Sequence, residues 1–339
     1  AKAIAAAVSQ GKMPPWFADP RFGAFANDPR LTDAERSVVE QWINDGATEG
    51  KRLPEIQASE SRNRADLVLQ SPTATAVPAK GSLEYQYSVI PTGLQSDRWI
   101  VSTEVIPQVR GIVHHAVVYI REAGETWTTG PTRADILAVY APGRGAEVLP
   151  SGMAKLLKAG SDLILEVHYT PNGKAVQDKP SVALTYATGP PVKRVHTLQM
   201  DNSTFRIPPG ERDYRVTVSG TLPNDAQLLS LYPHMHLRGK TFEFDRIGTN
   251  GQPQPMLRVT NYDFHWQLSY YLKEPLALPR GTRLQWVATF DNSRNNPANP
   301  DPTAEVRYGH QSWEEMMIGF FDVAVDPAID KKAFFVRPD

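Results

Sequence analysis

Five histidines and one methionine of this chain are grouped as metal ligands often are. In chain order they are His114, His115, His168, His234, His236 and Met316. Imidazole suits several late transition metals, whereas the thioether of methionine is a soft ligand that favours copper, particularly Cu(I). The sequence therefore predicts two mononuclear copper sites, one with three histidines and one with two histidines and a methionine.

The spacing of the paired histidines indicates the backbone that each pair needs. His234 and His236 are two residues apart, so on a β-strand both rings project from the same face and can reach one ion. His114 and His115 are adjacent and would point to opposite faces of a regular strand. We therefore expect a bulge or twist of the backbone at this pair, or binding through different ring nitrogens.

The order and context of these residues resemble the copper type II, ascorbate-dependent monooxygenases, the family of peptidylglycine α-hydroxylating monooxygenase and dopamine β-monooxygenase. The resemblance lies in the segments GIVHHAVVY, LEVHYTPNG and PHMHLRGK and in the tripeptide EEM, and it covers roughly residues 63 to 339. It implies an electron-transfer copper held by the three-His set, which is His114, His115 and His168. It implies an oxygen-binding copper held by the His-His-Met set, which is His234, His236 and Met316.

The resemblance also selects Met316 over the adjacent Met317. In the run MMIGFFDVAV, strand alternation places Met316 on the face of Ile318 and Phe320 and places Met317 on the opposite face, where we expect core packing. Glu166 shares a strand face with His168 and is expected to lie near the first copper. The remaining polar neighbours, expected to be structural or supporting, are His196, His265, His310 and Glu315.

The activity implied by the resemblance is hydroxylation of a substrate C–H bond with O2, two copper ions and an external reductant. The His-His-Met copper would bind O2, and the three-His copper would supply the second electron. Ascorbate is the family reductant, and an upstream haem domain or another electron-donor protein is an alternative source of electrons. Export to the periplasm or the cell exterior is implied as well.

The expected substrate differs from that of the peptide-amidating enzymes. Where those enzymes hold a peptide carboxylate with Arg, Asn and Tyr side chains, this chain has Tyr232, Ile318 and Phe320. An apolar, aromatic pocket leaves a buried carboxylate uncompensated. We therefore expect a small neutral or aromatic substrate, with these three residues in its pocket.

Two other functions are compatible with the same residues. The chain could be a copper-binding or electron-transfer module without a substrate. It could also be a mononuclear zinc hydrolase that uses His234, His236 and His168, although methionine is a poor zinc ligand. Metal analysis distinguishes the zinc hydrolase from the two copper proteins. Reductant-dependent O2 consumption distinguishes the copper monooxygenase from the copper module without a substrate.

Composition excludes several classes of protein. The 339 residues contain 36 Lys and Arg, 37 Asp and Glu and no Cys, which removes disulfides, thiolate metal sites and thiol nucleophiles. The formal charge of -1, without a basic stripe, gives no indication of nucleic-acid binding. No apolar run approaches the ~20 residues of a membrane span.

The pattern of the chain predicts a mainly β protein with two jelly-roll-like antiparallel sandwiches after a short helical segment. From about residue 63 onward, short β-branched and aromatic runs alternate with Pro and Gly turns. We place a helical segment at 1–60, a sandwich with the three-His set at 61–200 and a sandwich with the His-His-Met set at 201–339. A Thr32-x-x-Glu35 capping box begins one of the helices.

The first 60 residues resemble the tail of a small cytochrome c-like domain found before bacterial members of this family. Met13, which precedes Pro-Pro-Trp, would face a haem in such a domain. The CxxCH motif that attaches haem is not in this chain. We therefore expect a pair of helices that packs on the catalytic core.

Overall fold

The computed structural model describes residues 1–51, 65–81, 83–127, 135–140, 145–331 and 337–338. Over these residues the protein is mainly β, and the predicted fold class of two jelly-roll-like antiparallel sandwiches after a helical segment is confirmed. Part of the predicted helical segment, residues 52–60, lies outside the described residues.

The first sandwich begins after the helical segment and ends before residue 190. Its strands are β1 (Leu67–Gln70), β2 (Thr75–Val77), β3 (Gln86–Pro91), β4 (Arg98–Ile106), β5 (Val113–Arg121), β6 (Asp135–Tyr140), β7 (Glu147–Val148), β8 (Met153–Leu157), β9 (Asp162–Tyr169), β10 (Val176–Asp178) and β11 (Ser181–Tyr186). One sheet has the order β1-β11-β4-β8, with β7 paired to β4, and the facing sheet has the order β3-β9-β5-β6. Strands β2 and β10 form a separate pair.

The second sandwich contains the remaining strands. They are β12 (Lys193–Asp201), β13 (Arg206–Ile207), β14 (Tyr214–Thr221), β15 (Ala226–His234), β16 (Gly239–Ile247), β17 (Pro253–Val259), β18 (Tyr270–Leu278), β19 (Arg283–Phe290), β20 (Val306–Arg307), β21 (Ile318–Val325) and β22 (Arg337–Pro338). One sheet has the order β12-β21-β15-β18 and the other the order β17-β16-β19-β14-β22. Strands β13 and β20 form a separate pair.

The two sandwiches are joined by a parallel pairing of β8 with β12. This pairing makes one sheet of the first sandwich continuous with one sheet of the second, so a nine-stranded sheet crosses the boundary. Each sandwich keeps its own apolar core, and the second core is built around Trp286, Phe242 and Phe244. A shared sheet fixes the relative position of the two halves, and this position decides how near their metal ligands lie.

Strands at the boundary are buried on both faces, which explains their nearly continuous apolar sequences. In β9, Leu163, Leu165 and Val167 face the core of the first sandwich. The alternate residues of β9 face the second sandwich, where Ile164 packs in an apolar cluster with residues of β15 and β21. Period-two alternation therefore aims one face of each boundary strand at the neighbouring half of the molecule.

The N-terminal helices are α1 (Lys2–Ser9) and α2 (Asp33–Asn44), and the predicted capping box is present at the start of α2. The expectation that the helical pair packs on the core is wrong. Helix α1 buries only Val8 and α2 buries no residue. Neither described helix is long and apolar enough to cross a membrane.

The segment between the two helices, not the helices themselves, is attached to the second sandwich. Trp16 packs against Tyr270 with ring centroids 4.8 Å apart. The Asn27 side chain donates to the Ser269 carbonyl at 2.8 Å and accepts from the Tyr271 N–H at 3.0 Å. Side chains of this segment therefore pack against strand β18 and the residue before it, whereas the side chains of α1 and α2 other than Val8 remain at least partly exposed.

Candidate metal centre

The two predicted ligand sets lie next to each other where the sandwiches meet. The rings of His115, from the first sandwich, and His234, from the second, have centroids 6.3 Å apart. An apolar cluster from both halves surrounds this meeting point, with Val117 and Tyr119 on one side and Met316 and Phe320 on the other. Residues that are far apart in the sequence thus form one region.

The structure brings all three members of the three-His set together. His115 on β5 is directly opposite His168 on β9, and the register shifts between Val113 and His115. This irregularity agrees with the bulge or twist expected for adjacent histidines, and the rings of His114 and His115 lie close together, with centroids 5.3 Å apart. One ligand atom from each of the three residues lies within 4.8 Å of the others.

The imidazoles of the three-His set have the charge state that metal binding requires. Burial lowers the pKa of His114 and of His168 to about 4, so both rings are neutral at pH 7. The Nδ1 atoms of His114 and His115 are 3.1 Å apart. The buried His114 Nε2 and His168 Nδ1 have no hydrogen-bond partner among the described residues. Tyr85 stacks on His168 with centroids 4.8 Å apart and covers one side of the set.

The His-His-Met set is built at the end of a strand. His234 is the last residue of β15, and His236 lies two residues beyond it. His236 therefore lies just outside the strand, and the chain turns only after it, where the Gly239 N–H donates to the His236 carbonyl at 3.1 Å. The two rings still meet, with centroids 5.3 Å apart and planes at 88°.

Hydrogen bonds orient both histidines of this set. His234 Nδ1 lies 2.7 Å from Oε1 of Gln267, and His236 Nδ1 lies 3.3 Å from the carbonyl oxygen of Glu314. Because each partner is an acceptor, each Nδ1 carries the proton and each Nε2 keeps a lone pair. The buried His236 Nε2 has no partner among the described residues. A buried lone pair of this kind is what a metal ligand offers.

Glu315 ties the two parts of the His-His-Met set to each other. Its fully buried carboxylate accepts the backbone N–H groups of His236 at 2.8 Å, Arg238 at 2.6 Å and Met316 at 3.3 Å. Burial raises the pKa of Glu315 to about 8. The side chain therefore holds the segment after β15 and the segment before β21 together, in agreement with the predicted supporting role.

The adjacent methionines have different surroundings, as alternation indicated. Met316 packs at the boundary between the sandwiches with Ile318 and Phe320. Met317 is fully buried in the core of the second sandwich with Phe321. Only Met316 lies beside the two histidines.

A small cavity, called the metal cavity, lies between the two sets and has a volume of about 40 Å³. Its lining consists of Tyr85, Tyr87, His115, Val117, Tyr119, Glu166, Tyr232, His234, His236, His310, Met316 and Phe320. Aromatic side chains dominate this wall, and members of both ligand sets reach it. With the side chains in these positions, only a small part of a substrate fits beside Met316.

Two of the three predicted pocket residues, Tyr232 and Phe320, line the metal cavity, and their rings stack with centroids 5.7 Å apart. Ile318 does not. It is fully buried in the apolar cluster behind the wall, so its assignment to the pocket is corrected. Glu166 lines the cavity as well, and burial raises its pKa to about 7.

Of the histidines expected to be structural, one is buried away from the site and two are exposed beside it. His196 is fully buried and contacts the Ile329 carbonyl at 3.0 Å and Asp135 at 3.5 Å, as expected for a structural residue. His310 is exposed and lines the metal cavity. His265 is also exposed, and its ring centroid lies 5.7 Å from that of His114.

Sequence reasoning missed several residues of the site, among them Phe264 and Gln267. The Phe264 ring lies between the sets, with its centroid 5.4 Å from that of His114 and 6.1 Å from that of His236. Gln267 accepts from the His234 ring and from the Tyr232 hydroxyl. Both belong to the segment YDFHWQ, whose cluster of aromatic residues before β18 was the one available signal.

Comparisons with known proteins supply general fold likeness only. No protein-family model and no curated protein matches the chain. Among solved structures, the major capsid protein P2 of bacteriophage PM2 aligns with a TM-score of 0.36 and 6% identity, over 77% of this chain and 98% of that chain. A structure of broad bean stain virus aligns with a TM-score of 0.31 and 6% identity, over 83% of this chain and 98% of that chain. Alignments this loose carry no information about function.

Proposed function

We propose that this chain is a copper-dependent monooxygenase that hydroxylates a C–H bond of a small substrate with O2 and an external reductant. The observation that carries the proposal is the closeness of two imidazole sets and one thioether where the sandwiches meet, with members of both sets lining one cavity. The resemblance to the copper type II, ascorbate-dependent monooxygenases supports the same function.

The residues present fit two copper ions. The three-His set offers converging nitrogens, two of which are buried without a partner among the described residues. The His-His-Met set offers the Nε2 atoms of two oriented histidines and a thioether at the cavity wall. Copper held by these residues would supply one-electron redox chemistry with O2. The soft thioether favours Cu(I) over zinc at the second set.

The protein itself contributes orientation and exclusion of water. Gln267 and the Glu314 carbonyl fix the tautomers of His234 and His236, and Glu315 holds the backbone of the set in place. Such supporting groups keep ligand nitrogens aimed at one point without rearrangement. The aromatic wall of the metal cavity limits the water that reaches the reacting C–H bond.

The lining of the metal cavity supports a neutral or aromatic substrate in preference to a peptide carboxylate. The described lining contains no Lys or Arg, and it does contain the carboxyl group of Glu166. A substrate carboxylate would therefore lose its hydration without gaining a cation, and it would lie near a second acid. Tyr232 and Phe320 instead offer faces for aromatic or apolar groups.

The cellular setting proposed for this reaction follows the family resemblance. Ascorbate or an upstream haem domain would provide the electrons, because the chain contains no cysteine and no haem-attachment motif. An exported protein in the periplasm or outside the cell suits such a reductant.

The test is hydroxylation by the copper-loaded protein. The protein is incubated with ascorbate, O2 and a panel of small neutral aromatic and aliphatic compounds, and products that carry oxygen from ¹⁸O2 are sought by mass spectrometry. Met316→Ala is the matched control and should give no product. A wild-type protein that binds two coppers but consumes no O2 with ascorbate would instead be an electron-transfer module.

A further inference from the structure

A continuous chain of buried polar side chains crosses the boundary between the sandwiches. Lys155 lies 3.6 Å from Glu147 and donates to the Thr197 hydroxyl at 3.2 Å. The Thr197 hydroxyl donates to Asp322 at 2.5 Å, and the Ser230 hydroxyl donates to the other oxygen of Asp322 at 2.6 Å. The order along this polar chain is therefore Glu147, Lys155, Thr197, Asp322, Ser230.

Buried charged side chains are not expected at the boundary between two apolar sandwiches. Lys155 and Asp322 are both buried, and Lys155 comes from the first sandwich whereas Asp322 comes from the second. Apolar residues of similar volume would stabilise a boundary of this kind as well as a buried ion pair does, or better. The surrounding clusters are apolar, so these side chains are an interruption of the interface.

Two cavities follow the polar chain and lead to the metal cavity. The outer cavity has a volume of about 660 Å³ and reaches solvent at Val148, which is 70% exposed. The inner cavity has a volume of about 20 Å³ and is lined by all five members of the polar chain. Glu147 lines both the outer and the inner cavity, and Tyr232 lines both the inner cavity and the metal cavity.

The inner cavity has the size and lining of a site for one water molecule. A cavity needs about 10–15 Å³ of space for water centres and two to four polar partners to hold one water. Ser230, Thr197 and Asp322 line this cavity together with Tyr232, whose hydroxyl contacts Gln267 at 3.1 Å. A water in the inner cavity would lie between the polar chain and Tyr232, which also forms part of the wall of the metal cavity.

Hydroxylation requires protons at the metal cavity. The balanced reaction is RH + O2 + 2 e⁻ + 2 H⁺ → ROH + H2O, in which the reductant, an ene-diol or a haem protein, gives the two electrons. Without an organic substrate, the reduction O2 + 2 e⁻ + 2 H⁺ → H2O2 consumes the same two electrons and two protons. The described wall of the metal cavity is mostly aromatic apart from Glu166 and the exposed His310, and the polar chain offers these protons a second route.

We propose that the polar chain from Glu147 to Ser230, one water in the inner cavity and the Tyr232 hydroxyl form a proton-delivery path from the outer cavity to the metal cavity. This inference rests on the proposed function. Each member is a hydroxyl, a carboxylate, an ammonium or a water, which are groups that pass protons along hydrogen bonds.

The test measures ascorbate-driven O2 uptake by the copper-loaded protein, in H2O and in D2O, with no organic substrate added. Ser230→Ala and Asp322→Asn should each slow uptake about 10²-fold, the lower end of what a positioned proton donor contributes, and should enlarge the solvent isotope effect. Because the two residues act in series, the double variant should be no slower than the slower single variant. Both variants should still bind two coppers.

Ser71→Ala is the matched control, because it removes a buried serine hydroxyl that bonds to Ser88 at 2.9 Å within the first sandwich. It should retain the wild-type rate. If Asp322→Asn fails to fold, Thr197→Val interrupts the same path. Wild-type rates and isotope effects in the polar-chain variants would overturn the proposal. So would slow O2 uptake in His310→Gln together with wild-type uptake in the polar-chain variants, because the protons would then arrive at the exposed side of the metal cavity.

A crystal structure of the metal-free protein provides a second readout that does not depend on activity. An ordered water within hydrogen-bond distance of Ser230 and Tyr232 is expected, and a dry inner cavity would overturn the proposal. Failure of the proposed function has a different signature. In that case the wild-type protein itself consumes no O2, whereas failure of the path alone leaves the wild type and all polar-chain variants equally active.

Discussion

Truncation of the adjacent methionines separates metal binding from packing. Met316 and Met317 are both buried, at 3% and 0% exposure, but Met316 lines the metal cavity and Met317 packs in the core of the second sandwich. The two Met→Ala variants remove the same atoms from neighbouring positions. Each is therefore the control for the other.

The expected magnitudes follow from these surroundings. Met317→Ala leaves a closed void in the core and should lower the free energy of unfolding of the metal-free protein by about 2–5 kcal/mol. Met316→Ala opens the existing cavity further and should cost near the lower limit, about 2 kcal/mol. Loss of the thioether should weaken Cu(I) binding at the His-His-Met set at least about 100-fold, which corresponds to about 2.8 kcal/mol.

Two assays measure these effects. Urea denaturation of the metal-free variants gives the stability change, and anaerobic competition with a Cu(I) chelator gives the affinity of each set. Met316→Ala should retain one tight copper at the three-His set, and Met317→Ala should retain two. Weakened binding in Met317→Ala with unchanged binding in Met316→Ala would refute the ligand assignment, and loss of both coppers in Met316→Ala would refute the existence of separate sets.

Three further outcomes are expected. Gln267→Leu should weaken Cu(I) binding at the His-His-Met set ~10–100-fold in the same competition assay, because His234 loses the acceptor that fixes its tautomer, whereas Gln267→Glu keeps an acceptor and most of the affinity. His114→Ala should give little hydroxylated product in a single turnover of the pre-reduced protein, and a wild-type yield would contradict the role of the three-His set. Glycine-extended peptides should not be hydroxylated under conditions in which neutral aromatic compounds are, because Tyr232 and Phe320 provide no cation for a carboxylate; efficient peptide turnover would show that the pocket has been misjudged.

Local patterns in the sequence predicted those parts of the structure that depend on neighbouring residues. Alternation in MMIGFFDVAV predicted that Met316 and Met317 face opposite sides, and the adjacency of His114 and His115 predicted a bulge or twist, or different ring nitrogens, at the place where the register of β5 shifts. The capping box at Thr32 is likewise a local signal. In each case, a period or a spacing of a few residues determines the geometry.

The parts that could not be predicted depend on tertiary packing. No spacing rule connects Gln267 with His234, which is 33 residues away, or places Phe264 between the ligand sets. The position of His236 beyond β15 and the burial of Ile318 behind the cavity wall depend on where strands end and how the sandwiches meet. The distance between the two sets is determined by the β8–β12 pairing, which joins segments without any shared sequence signal.

The central claim is that two neighbouring copper sites exist and that only one of them contains sulfur. The most direct test is metal analysis of the purified, copper-loaded protein together with X-ray absorption spectroscopy of its Cu(I) form, for wild type and Met316→Ala. We predict two coppers per wild-type chain, with a copper–sulfur contribution that disappears in Met316→Ala. One zinc per chain, or two coppers without any sulfur ligand, would contradict the account.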